Sequence, residues 1–246
     1  MSKAVAIITG ASSGMGWEFV RQIDRNMHHI HEIWMIARRE DRLNLLAENV
    51  MRCNVRCICL DLCRESAWEQ LDRILETEQP DVRMLVNAAG VGRSGVFARI
   101  TRTEAVNMID LNARALTAVT HTVLPYMSKH SRIIQMCSAS AFFPQKEFSV
   151  YAASKTFVLR FSMALQAELR DRCIAVTIVC PGPVDTEFLE IANKGRSYNP
   201  FKKLVMVKPE PVVRKALTDA GNKKKLSIYG IPMKLVYAAS MLLPHV

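Results

Sequence analysis

The chain lacks any uncharged apolar run near the roughly 18 residues that a membrane-spanning helix needs, so no span is expected. Its start, Met1 to Thr9, has too short an apolar stretch for a secretion signal and passes directly into a strand-like pattern. A cytoplasmic location is the default expectation. Glycine and proline number only 10 each in 246 residues, which excludes collagen-like and low-complexity classes. No Pro/Gly/Ser-rich linker and no internal repeat divides the chain, so one domain is expected over 1–246. Cys-x-x-Cys pairs are also missing. Of seven cysteines, Cys53, Cys57, Cys59 and Cys63 lie close together, but at x3, x1 and x3 spacings. They read as small buried hydrophobes, and neither a metal site nor disulfides are expected. Acidic residues are in deficit, 23 against 33 Lys and Arg, leaving a formal charge of +10. Such a balance suits nucleic acid, an acidic membrane or an anionic cofactor. The basic residues are dispersed, with one tight run at Lys223-Lys224-Lys225 and no nucleic-acid module signature, so nucleic acid is not the expected partner.

What is present is an alternation of short apolar strands and amphipathic helices. Strands are expected at Ala4–Ile8, Glu32–Ala37, Val55–Leu60, Met84–Val86, Arg132–Cys137, Ala175–Cys180 and Leu226–Tyr229. Helices are expected at Gly14–Asn26, Asp41–Met51, Glu65–Glu78, Thr103–Ser128, Ser149–Arg170 and Glu210–Ala220. This order predicts an α/β fold: a doubly wound, Rossmann-like parallel sheet of about seven strands with helices on both faces. The regularity lapses over 186–207, read as a substrate lid, and 231–246 reads as an apolar helical tail.

The first strand runs into Thr9, Gly10, Ala11, Ser12, Ser13, Gly14, Met15 and Gly16, and then into a helix. Gly10 permits a sharp turn, Gly14 a close approach to a pyrophosphate, and Gly16 tight helix–strand packing. The helix N-terminus then offers free N–H groups and positive partial charge to phosphates. Gly10, Ser12, Ser13, Gly14, Met15 and Gly16 are the expected loop contacts. The second strand ends at Ala37-Arg38-Arg39 with no acid before Glu40. An acid there would bind an adenosine ribose diol, whereas a guanidinium binds a 2′-phosphate through charge-assisted bonds. NADP(H) is therefore the expected cofactor, with Arg38 as main ligand, Arg39 as helper or adenine-stacking group, and Ser12 as a hydroxyl donor.

Tyr151 and Lys155 lie four residues apart in a helical stretch, so they project roughly 40° apart on one face. A phenol has a reference pKa of about 10, and a nearby ammonium lowers it. Tyr151 is thus a candidate general acid/base, tuned by Lys155.

Taken with the Gly-x-x-x-Gly-x-Gly loop, a set of motifs now appears in order: Asp61-Leu62, Asn87 to Gly90, Asn112, Ser138, Tyr151 to Lys155, and Pro181-Gly182. In these the chain resembles the short-chain dehydrogenase/reductases over about residues 3–186. The resemblance implies that Asp61 and Leu62 flank the adenine and that Asn87, Ala88 and Gly90 floor the cofactor site. It implies that Ser138 orients the substrate carbonyl, with Ser140 as a less well placed substitute. Asn112 would hold a water linked to Lys155, which would also bind ribose. Pro181 and Gly182 would close over the nicotinamide, Val184 would bond its carboxamide, and Thr186 would reach the carboxamide or pyrophosphate.

The resulting expectation is an NADP(H)-dependent oxidoreductase interconverting a ketone and a secondary alcohol. Phe142, Phe143 and Pro144, with Phe188, Leu189, Tyr198 and Phe201, are the candidate pocket lining and point to a bulky, mostly apolar substrate. Lys194, Arg196, Lys202 and Lys203 are candidate contacts for an anionic tail. A non-catalytic NADP-binding sensor or partner-binding protein on the same fold stays as the alternative. The tail resembles the group near 3-oxoacyl-CoA reductases and 17β-hydroxysteroid dehydrogenases. A homodimer or homotetramer is expected, with the tail able to cap a subunit contact or touch a membrane surface.

Overall fold

The computed structural model describes residues 3–193 and 205–242. Its strands are β1 (Ala4–Thr9), β2 (Glu32–Ala37), β3 (Asn54–Cys59), β4 (Asp81–Asn87), β5 (Arg132–Met136), β6 (Ala175–Val179) and β7 (Leu226–Ser227). They form one seven-stranded sheet in the order β3-β2-β1-β4-β5-β6-β7, parallel throughout. The helices are α1 (Gly14–Asn26), α2 (Glu40–Ala47), α3 (Glu65–Glu78), α4 (Arg102–Ile109), α5 (Leu116–Val123), α6 (Ser149–Glu168), α7 (Glu187–Asn193), α8 (Pro209–Gly221) and α9 (Ile231–Leu242). This is the single-domain Rossmann-like fold the alternation implies.

The continuous apolar runs are explained by burial on both faces. Along β1, Ala6 and Ile8 join one core with Phe19 and Ile23 of α1 and Val213 of α8. Val5 and Ile7 face the other core, with Leu71 of α3 and Val119 of α5. Each such Ile or Leu contributes about 1.5–3 kcal/mol when fully buried. A third cluster joins Phe142, Val158 and Ile228 to Met233 of α9, and so fixes the tail to the body.

The local departures have physical causes. Helix α2 stops at Ala47, short of the expected Met51, because the Asp24 carboxylate accepts bonds from the backbone N–H groups of Met51, Arg52 and Cys53 at 3.0, 3.0 and 2.9 Å. Those donors leave the helical ladder. The expected long helix over 103–128 is α4 and α5 joined by a widened π-type turn at Asp110–Ala115, and it ends near Pro125. The first turn of α4 carries a capping box: Thr101 Oγ1 accepts from Glu104 N, and Glu104 Oε2 accepts from Thr101 N. The lid region is not all loop, since α7 begins directly after Thr186. Cys59 is exposed on edge strand β3, so burial describes Cys53 but not Cys59. Among the described residues no helix is long and apolar enough to cross a membrane.

The strand order reverses between β1 and β4. In such sheets the loops diverge at the carboxyl ends of those strands and leave a crevice. Thr9 and Asn87 pair at that point, and the Gly10 loop and the Ala88–Gly90 segment follow them.

Candidate active site

A cleft of about 600 Å³ opens at this crevice and runs from Arg38 past the Gly10–Gly16 loop to Tyr151. Its shape depends on missing side chains. Gly10 has φ +68°, and a Cβ there would lie 2.7 Å from Ala89 backbone atoms. At Gly16 a Cβ would strike the Gly10 carbonyl, so the loop could not fold back onto α1. Ser13 stands at the N-cap of α1 without capping it through its side chain, which leaves the first-turn N–H groups directed toward the cleft loop.

At the nucleotide end, Ser12, Ser13, Gly14, Met15, Arg38, Arg39, Asp61 and Leu62 all line the cleft. The two arginines differ. Arg38 is exposed and has no ion pair among the described residues. Arg39 is engaged: Nη1 donates to both carboxylate oxygens of Glu187 at 2.8 and 3.0 Å, and Nε and Nη2 donate to Ser12 Oγ at 3.3 and 3.2 Å. This pairing holds the Glu187 carboxyl below its ordinary value. Glu187 escapes sequence reasoning, because nothing in the sequence brings residue 187 to residue 39.

Ala88 and Gly90 line the cleft floor, but Asn87 does not. Its amide turns into the core and donates to Thr120 Oγ1 at 2.9 Å and Gln135 Oε1 at 3.0 Å, so it braces the floor from behind. Asn112 also works from behind. Its Oδ1 accepts from Val91 N at 2.9 Å, and its Nδ2 donates to Val91 O at 2.9 Å and Ser154 Oγ at 3.0 Å. The side chain clasps the Gly90–Val91 wall, with Lys155 Nζ also beside Gly90. The π-type turn sets it there by shifting the helix register at residues 110–115.

Ser138, Tyr151 and Lys155 meet at the far end of the cleft. Ser138 follows β5 and caps a short turn, its Oγ accepting from Ser140 N at 3.1 Å. It lines the cleft beside the Tyr151 side chain. Lys155 Nζ donates to Met136 O at 2.9 Å and lies 5.9 Å from the Tyr151 ring centroid. All three are buried. In the protein by itself burial dominates: it pushes the Tyr151 phenol well up and outweighs the neighbouring Ser138 hydroxyl, which favours the phenolate. Burial likewise pushes the Lys155 ammonium down. In the protein by itself, Lys155, with Nζ on the Met136 carbonyl, does not offset the rise at Tyr151. In the protein without nucleotide, burial thus favours the protonated phenol.

Pro181, Gly182, Val184 and Thr186, expected beside the nicotinamide, form another wall of the cleft. Val184 is held by an isolated bridge to Val207, and Thr186 faces Gly14. The wall around Tyr151 is apolar: Phe148 meets Tyr151 edge-on at 5.4 Å, and Phe188 lies 5.7 Å from the same ring. Leu189, Ile191, Val205, Met233 and Val236 complete it. Phe142 and Phe143 belong instead to the third core cluster, where Phe142 packs on Tyr237 at 5.0 Å, and neither they nor Pro144 line the cleft. The element after Ser138 turns inward there, and Phe148, Val205, Met233 and Val236 take the place expected for them. Tyr198, Phe201, Lys194, Arg196, Lys202 and Lys203 lie outside the described residues.

Comparison with known proteins places this geometry. The family model for short chain dehydrogenase matches residues 4–197. The chain is 31% identical over 215 residues, 85% of each sequence, to an NADP-dependent 3-hydroxy acid dehydrogenase of Escherichia coli (strain K12). It is 27% identical over 235 residues, 92% of each, to a serine 3-dehydrogenase of Agrobacterium fabrum. Among solved structures, a short-chain dehydrogenase from Sphingobium yanoikuyae in complex with NADPH superposes with a TM-score of 0.82 at 26% identity, covering 96% of this chain and 91% of that one.

Proposed function

Because the chain belongs to the short-chain dehydrogenase family, we propose that this oxidoreductase uses NADP(H) to interconvert a ketone and a secondary alcohol on a bulky, mostly apolar molecule. The observation that carries the reading is the convergence of the Ser138 and Tyr151 hydroxyls beside buried Lys155, at the end of a cleft that begins at Arg38. The cleft fits the cofactor: a glycine-built loop, uncapped first-turn N–H groups, and an unpaired guanidinium where a 2′-phosphate would lie. When bound, NADP(H) supplies or accepts the hydride.

The chain's own residues do the rest. Ser138 holds and polarises the substrate oxygen. Tyr151 Oη gives that oxygen its proton in reduction and takes it back in oxidation. Lys155, anchored on Met136 O, stands ready to bind ribose hydroxyls and to favour the phenolate once the cleft is filled. Asn112 and Asn87 keep the wall and floor in place. Phe148 and Phe188 keep water from the reacting carbon.

The substrate class follows from the lining. Among the described residues that line the Tyr151 end, Lys155 is the one cation, and aromatic and aliphatic groups make up most of the wall. A bulky ketone of steroid, bile-acid or fatty-acyl type suits it better than a small hydroxy acid. Exposed apolar side chains on α4 and α6, Val106, Ile109, Phe157 and Met163, support a homo-oligomer. A cytoplasmic location belongs to the same reading.

The test is NADPH and NADH oxidation over a panel of steroids, bile acids, 3-oxoacyl thioesters and small 3-oxo acids, with Arg38→Ala alongside. Turnover of apolar ketones with NADPH, and loss of the NADPH preference in Arg38→Ala, is the expected result. Binding of NADPH with no turnover on any ketone would favour a non-catalytic sensor. Turnover confined to small acids would overturn the substrate class.

A further inference from the structure

The nucleotide end of the cleft already contains an anion. Glu187, the first residue of α7, places its carboxylate on Arg39 through two hydrogen bonds from Nη1 at 2.8 and 3.0 Å. Ser12 Oγ holds the other nitrogens of the Arg39 guanidinium, which fixes its direction. A guanidinium gathered on a pair of coplanar oxygens is the donor geometry that a phosphate monoester would take. The partly exposed pair, with side-chain exposures of 38% and 37%, can exchange partners at modest cost.

The adjoining residue gives this pair a consequence. Phe188 rests on the Tyr151 ring and covers Gly92, where its Cζ lies 2.5 Å from the position a Cβ would take. Helix α7 is therefore tied at one residue to the nucleotide end and at the next to the catalytic phenol.

We propose that Glu187 is an internal stand-in for the cofactor's 2′-phosphate on Arg39, and that the phosphate displaces it and frees α7 from the nucleotide end. This rests on the NADP(H) reading above and adds a competing residue to it. A nucleotide without the 2′-phosphate leaves the tether in place, so α7 senses which dinucleotide is bound. The exchange balances charge: one anion leaves Arg39 as another arrives, and Arg38 remains to meet the phosphate's second charge.

The experiment is calorimetric titration of NADPH and NADH into wild type, Glu187→Gln, Arg39→Ala and the double variant, with amide exchange of the segment 187–193 in nucleotide-free protein. Glu187→Gln is expected to bind NADPH about two- to five-fold more tightly, the range of an exposed ion pair, with NADH affinity unchanged. In the Arg39→Ala background the same change is expected to do nothing. Amides of 187–193 are expected to exchange faster in Glu187→Gln than in wild type. Unchanged or weaker NADPH binding, equal tightening of NADH, or unaltered exchange overturns the proposal. A wild type that binds no NADPH brings down the cofactor reading as well. A wild type whose NADPH preference depends on Arg38 but ignores Glu187→Gln overturns the competition alone.

Discussion

Gly10→Ala probes the joint between the first loop and the cleft floor. At φ +68° an L side chain is strained by about 1–2 kcal/mol. The added Cβ would lie 2.7 Å from the Ala89 N and Cα atoms and 2.8 Å from the Ala88 carbonyl carbon. Comfortable carbon contacts begin near 3.5 Å, so the Ala88–Ala89 backbone would have to retreat by nearly 1 Å. That backbone cannot rotate away as a side chain could, because Ala89 N is bonded to Thr9 Oγ1 at 3.1 Å and Asn87 is locked into the core. The strain and the overpacking together cost about 2–4 kcal/mol. For a chain of this size that is a fall of roughly 5–15 °C in melting temperature. NADPH affinity should drop with it, since the displaced segment is the cleft floor. Gly221→Ala is the control: nothing lies within 4 Å of its added Cβ, and at the end of α8 the change is neutral or stabilising by up to about 1 kcal/mol. Calorimetric melts of both variants decide the matter. A Gly10→Ala protein that melts with the wild type and binds NADPH normally would refute the close-approach argument.

Asp24→Asn should lower stability by about 2–4 kcal/mol in urea titration, because three backbone N–H groups lose a charged acceptor. Burial acts to raise the Asp24 carboxyl, but the N–H groups of Met51, Cys53 and Arg52 outweigh it and hold it below its ordinary value. A depressed carboxyl stabilises the fold above the unfolded pKa of about 4 and loses that contribution as pH falls through the lower folded value. The gap between wild type and Asp24→Asn should therefore be full at pH 6–7 and shrink below about pH 4; a constant gap contradicts the assignment. Asn112→Ala should cost about 2–3 kcal/mol, since Val91 N and O both lose their partner. It should also raise the KM for nucleotide as well as lower kcat, because the wall at Gly90 loosens, and steady-state kinetics separate the two.

The parts of this molecule that could be read from sequence are those where local chemistry dictates structure. The Gly10–Gly16 loop is legible because three glycines after a buried strand have few other uses. Tyr151 and Lys155 are legible because helical periodicity puts them on one face. Ser138 is legible because it stands at the end of the preceding strand. What could not be read depends on contacts between distant residues. Arg39 and Glu187 are 148 positions apart, and only the crossover after β6 brings them together. The end of α2 is set by Asp24, on another helix. The π-type turn that aims Asn112 has no sequence signal, and Asn87 and Asn112 prove to be braces because their amides find partners that periodicity cannot supply. Phe142 and Phe148 are the same residue type six positions apart. Only the packing of α9 decides that the first is core and the second is cleft wall.

The measurement closest to the centre of the account is the single-turnover rate of hydride transfer from NADPH to a proven ketone substrate in wild type and Tyr151→Phe. The phenylalanine keeps the packing against Phe148 and Phe188 and removes only the buried hydroxyl. The account predicts a fall of about 10²–10⁴-fold with NADPH affinity little changed. A Tyr151→Phe protein that transfers hydride at the wild-type rate would contradict it.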